Sequence, residues 1–558
     1  MRALPLLTLL LACADKPAPD DSAAVDDSAP TDDSTATDDS TAPDDSTATD
    51  DSGVGDGFDA LREAVEKDIE RAYATGAQVA IWKDGAIIFS EGFGTKSKDG
   101  EAVDADTLFQ VGSDTKKMTA IAVLQQVEAG KLTIDETLAE ALPDLSFASD
   151  PDLTRQITLH ELMSHQGGLY DYTPWDDAPD DSELADRAYG LFAENEYAIG
   201  PSGVFWNYCN PGFSTLGLVA EETAGKPYAD ILEQDLFAPL GMTRTYARQS
   251  EVEADGNYSG GFGLWFIDDE EDSFHTWTGE VPSYEWGDVP QEDQADNGFT
   301  RPAGMIWSTA SDMAKLAAFL IHGDSDVLSD DLRTQIVTAQ VPLYATVPGQ
   351  SYGYGMMVLD GFTVGSDYYE TPLWLHGGNT LSMTSAFYVL PDQDFAVTVL
   401  SNGYGDDFSR TLKQALVDFA DLPTPGTAPT YEEPGDLESY AGTYVDPTGV
   451  GTMTLTYEDE KLKVSMPDLE ALGYSVGARL DPQIKDIFYL SIDGYDYDLT
   501  FYDSPEGVAH AYIRNRQFVL TRSEDAVVSR PALDPARVAR TLHPVLDLPT
   551  AARGLVGP

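Results

Sequence analysis

The chain of 558 residues predicts an α/β sandwich followed by a small all-β barrel. Three observations lead to this prediction. Strand-like runs stand near both ends of residues 58–425, with helical patterns between them, so both ends of that region are expected to join one sheet. The linker-like, proline-rich run 422–426 closes the region. Beyond it, short alternating strands follow one another without a long helix, which is typical of a barrel.

The first elements of the sandwich are a helix and a hairpin. Apolar residues at helical spacing predict a helix over 61–72. The runs 78–83 and 86–90 are strand-like and are joined by Asp84-Gly85, a two-residue hairpin signal. Further helices are predicted over 113–129 and near 158–164, 213–224, 228–236, 310–322 and 407–420, and further strands over 373–376, 385–390 and 396–401.

The barrel is expected at residues 430–522. Its predicted strands are 452–457, 461–466, 487–492, 497–502, 509–513 and 517–521. The tail 523–558 has no clear periodicity and receives no assignment. Residues 246–300, acidic and interspersed with glycine and tryptophan, indicate an insertion over one edge of the sandwich.

The N-terminus has the features of an export signal. Residues 1–13 begin with a charge, continue as a ten-residue apolar run and end in Leu-Leu-Ala-Cys, which resembles a bacterial lipobox. We therefore expect a signal peptide and an exported cell-envelope lipoprotein with its lipid on Cys13. Ordinary cleavage after Ala14, which would give a secreted protein, is the alternative. Ten apolar residues are too few to span a bilayer as a helix, and no other stretch is apolar for 18 residues, so membrane attachment is expected only through this lipid.

Residues 14–57 form a low-complexity linker. Asp-Asp-Ser recurs there at residues 20, 26, 32, 38, 44 and 50. The segment has almost nothing apolar to bury, and its like charges keep it extended, so it predicts a disordered tether. Calcium binding by the Asp pairs is the alternative, and the lack of the glycine and terminal glutamate of a calcium loop argues against it.

The net charge of −65 narrows the classes of molecule that the protein is expected to bind. Such an acidic chain argues against binding to nucleic acid or to anionic membrane surfaces and leaves a small molecule or a peptide as the expected substrate. Residues 1–57 carry only −12 of this charge, so the folded part is itself strongly acidic. Two cysteines, Cys13 and Cys209, exclude a disulfide framework, and neither they nor seven histidines suggest a metal site. No cofactor is expected.

Three short patterns carry the chemistry. Ser113-Asp114-Thr115-Lys116 places a hydroxyl and an amine three residues apart on one helical face, at a helix start that favours negative charge. Taken alone, this pattern is better explained by a capping serine and a surface lysine. The second pattern is Tyr208-Cys209-Asn210, and the third is His376-Gly377-Gly378.

The order of the three patterns, with their flanks, resembles the serine β-lactamase and penicillin-binding protein family, in particular its class C β-lactamase-related branch. The flanks that carry the resemblance are residues 109–112, 129–135, 157–169, 239–242, 308–313 and 352–355. The resemblance covers residues 58–422. It implies an antiparallel sheet flanked by helices with a helical subdomain, and the module after it is similar to the small barrels that often follow such catalytic domains.

The resemblance also implies roles for the first two patterns. Ser113 would be the acylated nucleophile. Lys116 would accept its proton or would keep Tyr208 ionised, and both readings stay open. Tyr208 would pass the proton to the leaving group and activate water for deacylation. Asn210 would position Lys116 and a substrate amide.

The third pattern would line the site on the sheet edge. His376 stands where the family more often has lysine, and Gly377 and Gly378 would let the substrate lie close to the strand. The backbone N–H groups of Ser113 and Asn379 would form the oxyanion hole. Because the cation and hydroxyl of a Lys-Thr-Gly motif are missing, the resemblance favours a carboxypeptidase, a D-aminopeptidase or an esterase over an efficient β-lactamase.

Other interpretations remain for parts of the sequence. The expected function is an exported serine hydrolase that cleaves amide or ester bonds, and the alternative is a non-catalytic binding or scaffold protein on the same fold. Cys209 is interpreted as a small buried residue. Residues 349–353 match the nucleophile elbow Gly-x-Ser-x-Gly but lack its strand-to-helix context. His160 and His165 are five residues apart, which does not suit shared metal binding from one helix.

Overall fold

The structure is a computed structural model that describes residues 56–98, 100–148, 152–171, 178–266, 284–289, 291, 294, 296–523 and 532–542. The predicted signal peptide with Cys13, and the Asp-Asp-Ser repeat as far as residue 55, lie outside the described residues. Among the described residues, no helix combines the length and the apolar character that crossing a bilayer requires.

The described α-helices, α1 to α14, are short or of medium length. They run over Asp59–Arg71, Thr115–Glu128, Leu138–Ala141, Leu159–Met163, Glu183–Glu194, Asn210–Ala224, Tyr228–Leu232, Gln249–Asp255, Arg301–Gly304, Ala310–His322, Asp330–Ile336, Ser409–Phe419, Pro467–Ala471 and Pro535–Leu542. A π-helical turn, Glu233–Phe237, continues α7.

The described strands, β1 to β22, fall into two large sheets and three small ones. They run over Gly76–Lys83, Ala86–Gly94, Phe109–Gln110, Gly261–Phe266, Tyr284–Val289, Trp307–Ser308, Val341–Pro342, Gln350–Tyr352, Met357–Leu359, Phe362–Val364, Asp367–Tyr369, Leu373–Asn379, Thr384–Leu390, Phe395–Ser401, Gly442–Asp446, Gly451–Glu458, Lys461–Ser465, Asp481–Ile484, Ile487–Ile492, Tyr495–Tyr502, Tyr512–Asn515 and Phe518–Ser523.

The main sheet contains both ends of the first region, as the sequence predicts. Its eight strands follow the order β2-β1-β14-β13-β12-β9-β8-β7 and are antiparallel. β1 pairs with β14 from Ala77 opposite Ser401 to Lys83 opposite Phe395. Every residue of β13 and β14 is buried, because both faces of the sheet are covered.

Different helices cover the two faces of this sheet. Side chains alternate along β1, so Val79 joins an apolar cluster that includes Leu61 of α1 and Leu412 of α12. Ala80 points the opposite way and joins a cluster that includes Met313 of α10. The predicted sandwich of an antiparallel sheet between helices is thereby confirmed.

A helical subdomain surrounds α2. Its neighbours α6, α7, α9 and α11 all pack against it, and residues around its whole circumference are buried. Because α2 begins directly after Ser113, this packing fixes the start of the helix, and with it the position of the serine.

The C-terminal module is an eight-stranded curled sheet in the order β17-β16-β15-β22-β21-β20-β19-β18. Its two ends meet, because Val464 N donates to Ala478 O at 3.1 Å and Leu480 N donates to Leu462 O at 3.0 Å. The predicted small barrel is therefore present. The sequence analysis missed β15 and β18, which are only five and four residues long, and β18 contains a proline that interrupts the strand pattern.

Two other segments differ from expectation or add to it. In the unassigned tail, α14 buries Val538 and Leu542 in the barrel core. The described part of residues 246–300 contains α8 and the β4–β5 hairpin. This hairpin lies at the end of the central strands rather than over an edge, because Phe262 N donates to Asn402 O at 2.7 Å and Tyr404 N donates to Phe262 O at 2.9 Å, just beyond β14.

Candidate active site

Ser113 lies in a tight turn between β3 and α2. Gly112–Asp114 form a 3₁₀ turn that runs directly into the helix. Gly112 has a φ of +52°, and a Cβ on it would stand 2.5 Å from Asn379 N, so only glycine allows the turn to approach β12 this closely. The serine is thus held at a helix N-terminus and against the sheet.

Lys116 points back at the serine from one turn further along α2. Its Nζ lies 3.0 Å from Ser113 Oγ, 2.7 Å from Asn210 Oδ1 and 2.7 Å from Ala303 O. Burial holds the pKa of Lys116 well below its usual range, which favours the neutral amine. A neutral amine has two N–H donors, which match the two carbonyl-type oxygens. Its lone pair then faces the Ser113 hydroxyl and is placed to accept that proton.

Tyr208, Cys209 and Asn210 lead into α6. The Tyr208 hydroxyl hydrogen-bonds the Ser113 side chain, and burial raises the pKa of the phenol above its usual value. Cys209 is the N-cap residue of α6: its Sγ accepts from Gly212 N at 3.4 Å, and Sγ lies 3.6 Å from Tyr170 O. Cys209 is fully buried and burial raises its pKa, which confirms its interpretation as a small buried residue.

The hydrogen bonds between β12 and β13 determine which side of β12 each backbone N–H group faces. Thr380 N donates to Met383 O across the hairpin that joins the two strands. Because successive N–H groups of a strand point to opposite sides, the Asn379 N–H faces the free edge of β12, beyond the last residue paired with β9. A Cβ on Gly378 would stand 2.8 Å from Ser113 N. The Ser113 turn and the end of β12 that carries Asn379 are therefore in close backbone contact.

His376 is buried, with an exposed fraction of 3%. Its Nδ1 lies 2.6 Å from Gly377 O and must donate to it, since a carbonyl only accepts; its Nε2 then accepts from the Tyr352 hydroxyl at 3.0 Å. Burial lowers the pKa of His376 well below its usual value. The His376 ring thus lines the site as a neutral group, and its centroid lies 6.2 Å from that of the Tyr208 ring.

Asp171 and Arg516 complete the site, and the sequence analysis missed both. Asp171 Oδ1 accepts from Asn210 N at 2.7 Å, and its Oδ2 accepts from Arg516 Nε at 2.6 Å. The Arg516 guanidinium carbon lies 4.5 Å from the centroid of the Tyr208 ring. Arg516 comes from the β21–β22 turn of the barrel, 345 residues from Asp171, so no local signal connects the two. Asp171 stands two residues beyond the flanking run 157–169, and that position is the sequence signal that could have marked it.

His165 also supports the second motif. It follows α4 with a φ of +60°, its Nδ1 accepts from Cys209 N at 3.1 Å, and its ring centroid lies 4.3 Å from that of Tyr208. His160 points elsewhere, with Nδ1 2.7 Å from the Tyr354 hydroxyl. The two histidines thus have separate partners, and no cluster of metal-ligating side chains occurs among the described residues.

The other rejected motif has a different structure from the one it would need. Ser351 of the Gly-x-Ser-x-Gly match lies within strand β8, and the next element is strand β9. A nucleophile elbow needs a helix there, so the match is confirmed as accidental.

Comparison with known proteins agrees with this geometry. Residues 61–421 match the Beta-lactamase family. Penicillin-binding protein 4 of Amycolatopsis lactamdurans is 27% identical over 398 residues, covering 69% of this chain and 95% of that protein. The crystal structure of SurE has a TM-score of 0.58 at 21% identity, covering 84% of this chain and 99% of that one. D-amino acid amidase from Ochrobactrum anthropi SV3, complexed with D-phenylalanine, has a TM-score of 0.52 at 21% identity, covering 66% and 98%. The two structural likenesses show the fold alone.

Proposed function

Because the chain belongs to the β-lactamase family of serine hydrolases, we propose that it cleaves amide or ester bonds through an acyl-enzyme on Ser113. The observation that carries this proposal is the contact of the neutral Lys116 amine with the Ser113 hydroxyl, 3.0 Å away, beside two backbone N–H groups. Acyl transfer requires a nucleophile, a base and oxyanion donors, and we assign these roles to Ser113, Lys116 and the backbone N–H groups of Ser113 and Asn379.

Acylation begins with the Ser113 proton. Lys116 accepts it as Ser113 Oγ forms a bond to the substrate carbonyl carbon, and the N–H groups of Ser113 and Asn379 stabilise the resulting oxyanion. Of the two roles that the resemblance left open for Lys116, the pKa directions of Lys116 and Tyr208 support proton acceptance, because they describe a neutral amine and a protonated phenol.

Breakdown of the intermediate returns the proton. The bond from carbon to the leaving nitrogen or oxygen breaks, Tyr208 donates its proton to the leaving group, and Lys116 restores the proton to Tyr208. In deacylation, water attacks the ester carbon and gives its proton to the same Tyr208 and Lys116 pair. The bond from carbon to Ser113 Oγ then breaks, and the serine recovers its hydrogen.

Covalent labelling tests this proposal directly. We expect a fluorophosphonate probe to label the wild type on Ser113 and to leave Ser113→Ala unlabelled. Ser351→Ala, which removes the serine of the accidental motif, is the matched control and should label like the wild type. Equal labelling of Ser113→Ala would contradict the proposal. No adduct with activated esters, β-lactams or fluorophosphonates would favour the non-catalytic scaffold instead.

For the substrate, we propose D-amino-acid peptides or small esters in preference to β-lactams. The support is the neutral His376 at a position where the family more often has lysine, together with the resemblance of the fold to D-amino acid amidase. Turnover of a D-alanyl peptide, a nitrophenyl ester and a chromogenic cephalosporin separates the classes. Hydrolysis of the cephalosporin as fast as the best of the others would reject this preference.

For the cellular location, we propose export followed by lipid attachment at Cys13. The support is the charged and apolar start of the sequence and its lipobox-like end. Expressed in a bacterial host, the wild type should fractionate with membranes and carry a lipid mass on its N-terminal peptide, whereas Cys13→Ser should be soluble. A mature chain beginning after Ala14 would indicate ordinary secretion.

A further inference from the structure

Two arginines of the barrel, Arg514 on β21 and Arg516 in the β21–β22 turn, contact Asn207, the residue before Tyr208. Asn207 Nδ2 donates to Arg516 O at 3.2 Å, and Arg514 Nε donates to Asn207 Oδ1 at 2.9 Å. These contacts fix the backbone of the turn directly beside Tyr208. The barrel is therefore part of the wall of the site, although it lies far along the chain.

The side chain of Arg516 takes part in two contacts. Its guanidinium forms an ion pair with Asp171 and stacks over the Tyr208 ring at 4.5 Å from the ring centroid. Asp171 in turn holds the backbone N–H of Asn210, whose side chain binds Lys116. Arg516 thus contacts Tyr208 directly and is linked to Lys116 through Asp171 and Asn210.

The titratable groups that surround Tyr208 come from several elements. They are Ser113, Asp114 and Lys116 at the start of α2, His165 and Asp171 after α4, Cys209 beside Tyr208 itself, Tyr352 and His376 on the sheet, and Arg516 on the barrel. Burial lowers the pKa of each of the two histidines and of Lys116, which favours the neutral form of all three. In this set, Arg516 is the one that keeps a positive charge at every pH at which proteins are folded.

We propose that Arg516 is a positioning residue of the active site: it supplies a fixed positive charge that acts together with burial against a proton on Lys116 and favours proton passage through Tyr208. A fixed cation opposes a second proton on a nearby amine, and it stabilises negative charge on a phenol beneath it. Asp171 has the opposite effect on both groups. The Asp171–Arg516 pair therefore adjusts the pH at which the buried site becomes active, and the inference rests on the acyl-enzyme function proposed above.

The sign of the effect can be worked out for each partner. Loss of the Arg516 charge leaves Asp171 alone beside the amine, which raises the pKa of Lys116, so a higher pH is needed to reach the neutral form. Loss of the Asp171 charge leaves Arg516 alone and shifts the same limb to lower pH. If the Asp171–Arg516 contact were purely structural, either substitution would reduce activity, and the rising limbs of the two variants would not shift in opposite directions.

The test compares pH profiles of kcat/KM for a nitrophenyl ester. We expect Arg516→Met to move the rising limb up by about one pH unit and to lower activity on that limb about tenfold. Asp171→Asn, which keeps the oxygen that binds Asn210 N, should move the limb down. The double variant should lie close to the wild type, and Arg516→Lys, which keeps the charge, should shift little.

The control is a second arginine that stacks over a tyrosine in the same barrel. Arg522 lies 5.4 Å from the Tyr444 ring and does not contact the site, so Arg522→Met should leave the profile unshifted. A wild type that neither turns over ester nor reacts with fluorophosphonate overturns both the function and this inference. Two results obtained with an active wild type overturn the inference alone. One is a rising limb of folded Arg516→Met that coincides with that of the wild type, and the other is a limb that shifts as far in Arg516→Lys as in Arg516→Met.

Discussion

Asp114 and Lys117 form an ion pair in which both side chains are fully buried, directly behind Ser113. Lys117 also donates to Asp114 O at 3.1 Å, and its Nζ lies 4.1 Å from the centroid of the Phe387 ring. The carboxylate of Asp114 accepts from Ser385 Oγ at 2.5 Å, so it ties the nucleophile turn to β13. Every charge of the pair has a partner, and removing one partner strands the other in the core.

We predict that Lys117→Met destabilises the fold by about 3–5 kcal/mol, because it leaves the Asp114 carboxylate buried and unpaired. The double variant Asp114→Asn with Lys117→Met should recover a large part of that loss. Urea unfolding measures both. A loss of less than about 1 kcal/mol in Lys117→Met would show that Asp114 is already neutral in the folded protein.

We predict that Lys116→Arg lowers acylation by about 10²- to 10⁴-fold, because arginine keeps a positive charge but stays protonated and accepts no proton. Stopped-flow labelling with an activated ester measures the acylation rate. Lys131→Arg, the same change at an exposed lysine just beyond the end of α2, is the control. If Lys116→Arg acylated at the wild-type rate, Lys116 would act only as a positive charge.

We predict a pH profile whose rising limb lies well below pH 10.5, the ordinary pKa of a lysine amine. The base must be neutral, and burial places the pKa of Lys116 well below its ordinary value of 10.5. Activity therefore rises with pH through that lowered pKa and levels off above it. The measurement is kcat/KM for an ester between about pH 4 and pH 10. A rate that still climbs tenfold per unit near pH 9 would mean that Lys116 is charged at rest.

Local patterns predicted much of the fold and the site. The helix starting near Ser113, the hairpin at Asp84-Gly85 and the strand carrying His376 all follow from periodicity and turn residues within a few positions. Contacts between distant segments were beyond such reasoning. Asp171 meets Arg516, and α14 packs into the barrel, through pairings that no spacing in the sequence encodes.

The protonation state of His376 also could not be predicted from the sequence. The sequence showed a titratable ring at the third motif, and the neutral state of the ring depends on its burial and on the hydroxyl of Tyr352. Whether a ring nitrogen faces a substrate or a neighbour is a property of packing and not of composition.

We predict that Cys209 is inert in the native protein. Its thiol is buried and its pKa is raised, so the reactive thiolate is scarce. Iodoacetamide should modify Cys209 only after denaturation, as peptide mass mapping can show, and Cys209→Ala should keep most of the activity. Rapid native modification with loss of activity would instead place this thiol within reach of substrate.

We predict that salt stabilises the folded part. Of the net charge of −65, residues 58–558 carry −53, and many of the acids are exposed at the surface, Glu66, Glu70 and Glu194 among them. Like charges so numerous repel one another, and raising the salt from about 0.1 M to about 1 M shortens the screening length from about 10 Å to about 3 Å. The thermal unfolding midpoint should therefore rise with potassium chloride. Variants with Glu66→Gln, Glu70→Gln and Glu194→Gln should show a smaller rise, and a midpoint that is the same in low and molar salt would contradict the prediction that like charges destabilise the folded part.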